Sequence, residues 1–532
     1  MEKLGRVILT LAILLHVPEA AAAAHPQQRV LRLAIAQEPP QLSSLRATDQ
    51  VSGFLLGHLM EGLTRYGRND QIIPGIASSW RVGERSATFH LRDGATWADG
   101  KPVTAHDFVF AWRMVVDPKT ASEYAFIMYP LKNAEAINDG KMPPSALGVS
   151  APDDHTLEVE LEKPCGYFLG LTAFPTYLPL REDFYRQEGE RYAADAQDLL
   201  SDGPFVLTSW VHGASLTLEK NPRYWDAGRI HIDRIEIPYV TSDPSARYNL
   251  FISGKIDMIG LDRDQLDRAQ ADRLEMKTFA DGSVWYMEFN HRPGRATRNW
   301  NLRKAIQLVF DPREFVSRVV GIPGSRPGLS IIPDWVPGVE QRFREEYPLV
   351  AVRPDLQEAR RHLELARREL GGSIPPLVWL TGDNPYSARE AEYFQYVFRT
   401  RLGLDLRIDK QIFKQRLAKM SAGDFDIVSS GWGPDYADAM TFAELLASWN
   451  ENNRGKYHDA RYDALIRRAQ ATADPRARMD AMAEAERIAL ADVAVLPMYE
   501  RVNIYAQARR VHGIVRHVIG PDPDYTFATI EE

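Results

Sequence analysis

Strand-like and helix-like hydrophobic patterns alternate along the whole chain, which excludes an all-helical bundle and an all-strand sandwich. Val30 to Ala36 (VLRLAIA) alternates as a strand and runs into the turn-rich QEPPQLSS. Residues 51 to 66 then place Phe54, Leu55, Leu59 and Leu63 on one helical face. Thr88 to Leu91 predicts a strand, and Thr104 can cap a helix that carries Phe108, Val109 and Trp112 and ends before Pro118. Asp153 to Leu161, 215–219 and 234–240 are further strand candidates. Later, Asp311 with Pro312 and Asp474 with Pro475 both read as an N-cap followed by proline at the first helical position. Between them Asp355 to Leu370 forms an apolar stripe that stops at Gly371 and Gly372. Its arginines 360, 361, 367 and 368 interleave with Glu358, Glu364 and Glu369, the pattern of a solvated, ion-paired face. The predicted class is mixed α/β.

The 532 residues suffice for about three to five domains. Lys plus Arg is 64 against 72 Asp plus Glu, a net charge of −8 that argues against a broad nucleic-acid surface. Cys165 is the only cysteine, so no internal disulfide can form and stability must come from packing. At the start, Lys3 and Arg6, the apolar run Val7 to Leu15 and the small residues Ala20 to Ala24 read as a secretory signal over residues 1–24. The run is too short to span a bilayer, which takes about 20 residues. No cysteine follows it to take a lipid anchor, so the expected destination is the periplasm.

The common catalytic templates are missing. There is no GxxxxGK[ST] phosphate loop, no GxGxxG turn, no GxSxG elbow and no HExxH pair. His512 and His517 have no nearby Cys or His to complete a ligand set, and loop or core histidines are the better reading. No cofactor or metal is expected, although a catalytic set assembled from distant residues stays open.

A series of segments resembles the oligopeptide- and dipeptide-binding proteins of ABC importers, solute-binding protein family 5. They include LRLAIAQEPPQL, MEGLTRY, TFHLRDGATWADGKPVTAHDFVFAWR, DPKTASEYAF, DGPFVLTSW, LEKNPRYW, WYMEFNH, LRKAIQLVFD, FDIVSSGWGPDYADAMTF and ADVAVLPMY, in family order over essentially the whole mature chain. The resemblance implies a bilobal periplasmic binding protein type II fold with an additional inserted domain. Carried over by order, lobe I takes residues 25–60, 185–282 and 502–532, the inserted domain 61–184, and lobe II 283–501. Two crossings, near 282 and 502, would form the hinge.

The resemblance also implies the ligand contacts. Asp435 in GWGPDY matches the aspartate that pairs with a peptide's α-ammonium. Trp432 and Tyr436 flank it, Tyr124 matches an aromatic of the cleft, and Phe398 falls where oligopeptide binders often carry Trp. Gly431 suits close backbone approach, and Thr48, Asp49 and Gln50 lie where the family pairs its main chain with that of the peptide. Departures are Ser283 and Gly433, which stand where cystine-bearing members have cysteines, and Ser429, where an arginine can help hold the peptide carboxylate. The implied role is a monomeric periplasmic receptor that passes short peptides to membrane permease subunits without catalysis. A receptor for a murein peptide or opine and an exported peptide hydrolase are the alternatives.

Overall fold

The computed structural model describes residues 28–531, so the expected signal over 1–24 lies outside the described residues. Strand Val30–Ile35 buries Leu31 and Leu33 and pairs in parallel with Arg234–Val240, which joins Ser215–Lys220 and then Phe205–Val211 in a four-stranded sheet. The strands predicted at 215–219 and 234–240 thus lie side by side, with Val30–Ile35 on the edge of their sheet.

Nested between these strands in sequence is a second four-stranded sheet in the order Ala77–Val82, Ser86–Leu91, Thr156–Glu160, Val149–Asp153. Helix Ala105–Val116 packs on it with Phe108 and Trp112 fully buried. Its start is fixed by Asp107, whose carboxylate accepts the Thr104 N–H at 2.9 Å. The Trp112 indole donates to the Tyr177 carbonyl at 2.9 Å, which satisfies its one polar atom in the core.

The third sheet has seven strands and is organised on two of 13 residues each, Lys277–Phe289 and Val495–Gln507, paired antiparallel. Met258–Leu261 lines one half of this ribbon, opposite Ile504 to Gln507. Ile427–Trp432 lines the other half, opposite Val284 to Phe289, followed by Leu377–Gly382 and Leu406–Gln411. Arg326–Pro327 also pairs with the second long strand. Between the halves the register breaks: Ala280 faces Val502, then Val284 faces Glu500. Two chain segments cross here side by side, and the bulge bends both.

Both Asp–Pro signals open helices, Pro312–Phe315 and Pro475–Ala491, with the aspartate carboxylate accepting the first backbone N–H groups. Helix Leu356–Glu369 buries Ala359, Leu363 and Ala366, while Leu356 at its first turn stays exposed. One continuous apolar core joins the first sheet, the nested unit and residues 432–469; a second lies under the far half of the large sheet.

Candidate functional site

Strand Ile427–Trp432 is paired along one whole edge with Val284 to Phe289, but on its other edge only Ile427 and Val428 meet a neighbour. Residues 429–432 therefore have no strand beside them on that edge; Gly431 is exposed, and Ser429, Ser430 and Trp432 are buried. The strand ends at Gly433 and Pro434. A Cβ on Gly433 would lie 2.5 Å from Nε2 of Gln50, so only glycine lets that side chain approach. The chain then turns inward and buries Asp435.

Asp435 has few partners. Its N–H donates to the Thr441 hydroxyl at 3.0 Å, and the Tyr124 hydroxyl donates to Oδ1 at 3.3 Å. Burial pushes the carboxyl well above the usual carboxylate range, and the Tyr124 and Thr441 hydrogen bonds oppose that rise without cancelling it. Burial also raises the Tyr124 phenol far above 10, which keeps it a donor. A carboxyl held this way is ready to ionise against a cation brought in by a ligand.

The aromatic residues gather at the same place. Tyr124 stacks on Trp432, with centroids 6.1 Å apart and an interplanar angle of 18°, while Tyr436 stacks on Tyr167 at 4.5 Å and 6°. Tyr124 arrives from the nested unit, where its neighbour Glu123 is gripped by residues about 300 positions further along the chain: Ser421 donates to Oε1 at 2.9 Å and Arg454 to Oε2 at 3.2 Å.

One expected contact lies elsewhere. Phe398 is fully buried in the second core, edge-on to Phe394 at 5.8 Å, and so has no surface to offer a ligand. Its sequence position matched a cleft residue, but its side chain packs under the sheet. Asp49 spends its carboxylate as the N-cap of helix Gln50–Leu59, accepting from Ser52 N–H at 2.9 Å and Ser52 hydroxyl at 2.7 Å. Gly431 has a steric role of its own, since a Cβ there would sit 2.7 Å from the Trp285 ring. Thr48 is half-buried and Gln50 exposed, with Gln50 Oε1 accepting from Arg501 at 3.0 Å. Arg501 also pairs with Asp281 beside the register break. Ser283 and Gly433 are neighbours, the serine hydroxyl lying 3.3 Å from a Cβ built on the glycine.

Several polar residues around the cleft were invisible to motif reading. Arg454 follows a loop whose Asn450, Asn452 and Asn453 are all buried, although NENNR reads as a solvated turn. Glu390 and Glu444 are buried carboxyls whose ionisation burial raises to about 7. Glu390 is the acceptor of the Ser429 hydroxyl at 3.0 Å, and Glu444 of the Trp449 indole at 2.9 Å. Among the described residues no group of His, Cys, Asp and Glu could hold a metal ion.

The chain as a whole is similar to proteins of known sequence and structure. The chain is 31% identical to the dipeptide-binding protein DppE of Bacillus subtilis over 93% of its length and 90% of that protein's. The substrate-binding domain of an oligopeptide ABC transporter from Bacillus anthracis superposes with a TM-score of 0.90 at 35% identity, covering 95% of this chain and 99% of that one. Peptide-bound OppA of Listeria monocytogenes gives 0.89 at 30% identity, again over 95% and 99%. The unliganded open form of the murein tripeptide-binding protein MppA gives 0.62 at 27% identity, so the overall arrangement here is closer to that of the peptide-bound relative. Residues 71–454 match the pattern of the bacterial extracellular solute-binding proteins, family 5 (middle), and the chain belongs to that family.

Proposed function

We propose that the protein is the substrate-binding component of an ABC importer, which closes on short peptides and delivers them to membrane permease subunits without chemistry of its own. The observation that carries this reading is the buried Asp435 carboxyl, walled by Tyr124, Trp432 and Tyr436 and set at the end of a strand whose edge is free from Ser429 to Trp432. A peptide's ammonium would neutralise the carboxyl while its backbone adds to the free edge, a mode that reads main-chain shape and tolerates different side chains. The relatives DppE and OppA are named for dipeptides and oligopeptides, which fits both contacts.

Lobe I (25–60, 185–282, 502–532) and lobe II (283–501), with 61–184 inserted, would open about the register break at Ala280 and Val502. Export to the periplasm, a monomeric state and delivery to a permease belong to the same reading. No helix of the described residues is long and apolar enough to cross a membrane. The murein peptide-binding relative MppA, 28% identical over 93% of this chain, keeps a peptide-like ligand as the second reading. Native mass spectrometry after incubation with a mixture of short peptides tests both readings. Intact peptides retained one per protein are expected; released fragments would indicate a hydrolase, and no retained peptide a different ligand.

A further inference from the structure

A guanidinium reaches strand residue Ser429 from another part of the chain. Helix Phe413–Ala422 packs Leu417 and Met420 against Leu380 and Val428. That packing carries Arg416 to the point where strand Ile427–Trp432 outruns its neighbour. There Arg416 Nη1 donates to the Ser429 carbonyl at a long 3.4 Å, and its Nε is buried with no acceptor. Glu390 acts on it electrostatically, but Glu390 Oε1 already accepts from the hydroxyls of Ser429, at 3.0 Å, and Tyr386, at 3.4 Å. In a tight ion pair the acid falls and the base rises. Here burial outweighs the attraction between them, raising Glu390 to about 7 and lowering Arg416, which leaves the guanidinium room for a stronger partner.

The surroundings have a surplus of donors. Trp432 Nε1 on the same strand, Trp285 Nε1 packed against Gly431, and Arg454 Nε are all buried without an acceptor. Arg454 has Glu123 to balance its charge, whereas Arg416 has only the crowded Glu390. Buried donors left unmade are costly, and a ligand that supplies anionic oxygens relieves them.

We infer that Arg416 is the receptor for a carboxylate of the bound ligand, at the opposite end of the free strand edge from Asp435. This rests on the peptide-binding reading above and adds a second charge requirement to it. At the rise of an extended strand, Ser429 and Trp432 are about 10 Å apart, the reach of about three extended residues. The carboxylate is therefore either the C-terminus of a very short peptide or an acidic side chain near the third position of a longer one.

Calorimetry on two ligand pairs separates these sources: trialanine against its C-terminal amide, and alanyl-alanyl-glutamate amide against the glutamine equivalent. In the wild-type protein the acid of at least one pair is expected to bind about 10-fold or more tighter than its neutral partner. Arg416→Met should reduce that preference below about 3-fold while leaving the preference for free over N-acetylated peptide intact. Arg416→Lys, which keeps the charge and loses the fork, should retain part of it and carries the test should the methionine variant unfold. Equal binding of acid and neutral partner in both pairs, or a preference that survives in the Arg416 variants, overturns the inference while leaving Asp435 untouched. Absence of any discrimination against N-acetylation would instead remove the peptide reading and this inference with it.

Discussion

The Tyr124 hydroxyl meets the Asp435 carboxylate at 3.3 Å across 311 residues of sequence, joining the nested unit to the end of strand Ile427–Trp432. It reaches the carboxyl of Asp435 from a distant segment of the chain, and it cannot replace a counter-charge. Asp435→Ala and Asp435→Asn should each weaken binding of a free peptide by about 30-fold or more, because either change leaves a desolvated ammonium unpaired. N-acetylation of the peptide removes the same pair from the other side. Titration calorimetry on the four combinations should show losses well short of additive. Full additivity would mean that the two changes act at different places.

Phe398→Ala is a control of opposite kind. The ring is fully buried against Phe394, so its removal should cost about 3–5 kcal/mol of stability through lost contacts and a cavity. Chemical denaturation measures the cost, and the folded fraction should bind peptide with unchanged affinity. A selective loss of affinity at unchanged stability would return Phe398 to the cleft.

His517 sets one side of the pH profile of stability. Its ring lies between Asp70, at 2.5 Å from Nδ1, and Asp524, at 3.4 Å from Nε2, tying the C-terminal segment to the nested unit. Burial alone would lower its pKa, but the hydrogen bonds and charges of Asp524 and Asp70 overcome it and raise the imidazolium to about 9. A base raised in the fold stabilises fully below its unfolded value near 6.5, and the contribution is lost as pH rises through about 9. His517→Gln should therefore lower the melting temperature clearly at pH 6 and much less at pH 10. An equal effect at both would show that the ring acts by packing alone.

Glu444 gives a pH slope of the same sign in a more acid window. Burial raises its carboxyl from 4.5 to about 7, so between those values the folded state holds a proton that the unfolded chain has released. Its contribution to stability falls across that window as pH rises and stays low above it. Glu444→Gln keeps an acceptor for the Trp449 indole and the Gln470 amide and carries no charge. The variant should match the wild type near pH 4.5 and exceed it by about 1–3 kcal/mol at pH 8. A variant less stable at both pH values would show that the second carboxylate oxygen has a partner the glutamine loses.

Much of the fold was legible because local signals and tertiary structure agreed. Asp311 and Asp474 cap helices where the Asp–Pro pairs predict them, and the 215–219 and 234–240 strands pair with each other. At the site, Tyr124 reaches both Asp435 and Trp432 from a distant part of the chain. The rest depended on packing that no local pattern records. Phe398 shows the same aromatic character whether it faces a cleft or lies beneath a sheet. Arg416 sits in KQRLAKM, where no motif singles it out; only the strand beside it shows that the side chain turns inward. His517 reads as an isolated histidine because its two carboxylates lie 7 and 447 residues away.

The protonation of Asp435 itself gives the last prediction. In the closed arrangement burial raises this carboxyl well above its ordinary value, so a protein closed without a cation tends to hold a proton there. A peptide ammonium placed against it favours the ionised form, and the proton must leave as the ligand enters. Binding should therefore release a proton, and the calorimetric enthalpy should differ between buffers of low and high ionisation enthalpy at the same pH. By linkage, affinity should rise with pH until either the carboxyl is ionised before binding or the peptide amino group, with a pKa of about 8, begins to lose its charge. Asp435→Asn has no proton to release, so the buffer dependence and the acid limb of the affinity profile should both disappear in that variant. If the buffer dependence persisted at full size in Asp435→Asn, the proton would come from another buried acid, and Glu444, whose charge acts on Asp435, would be the next to replace.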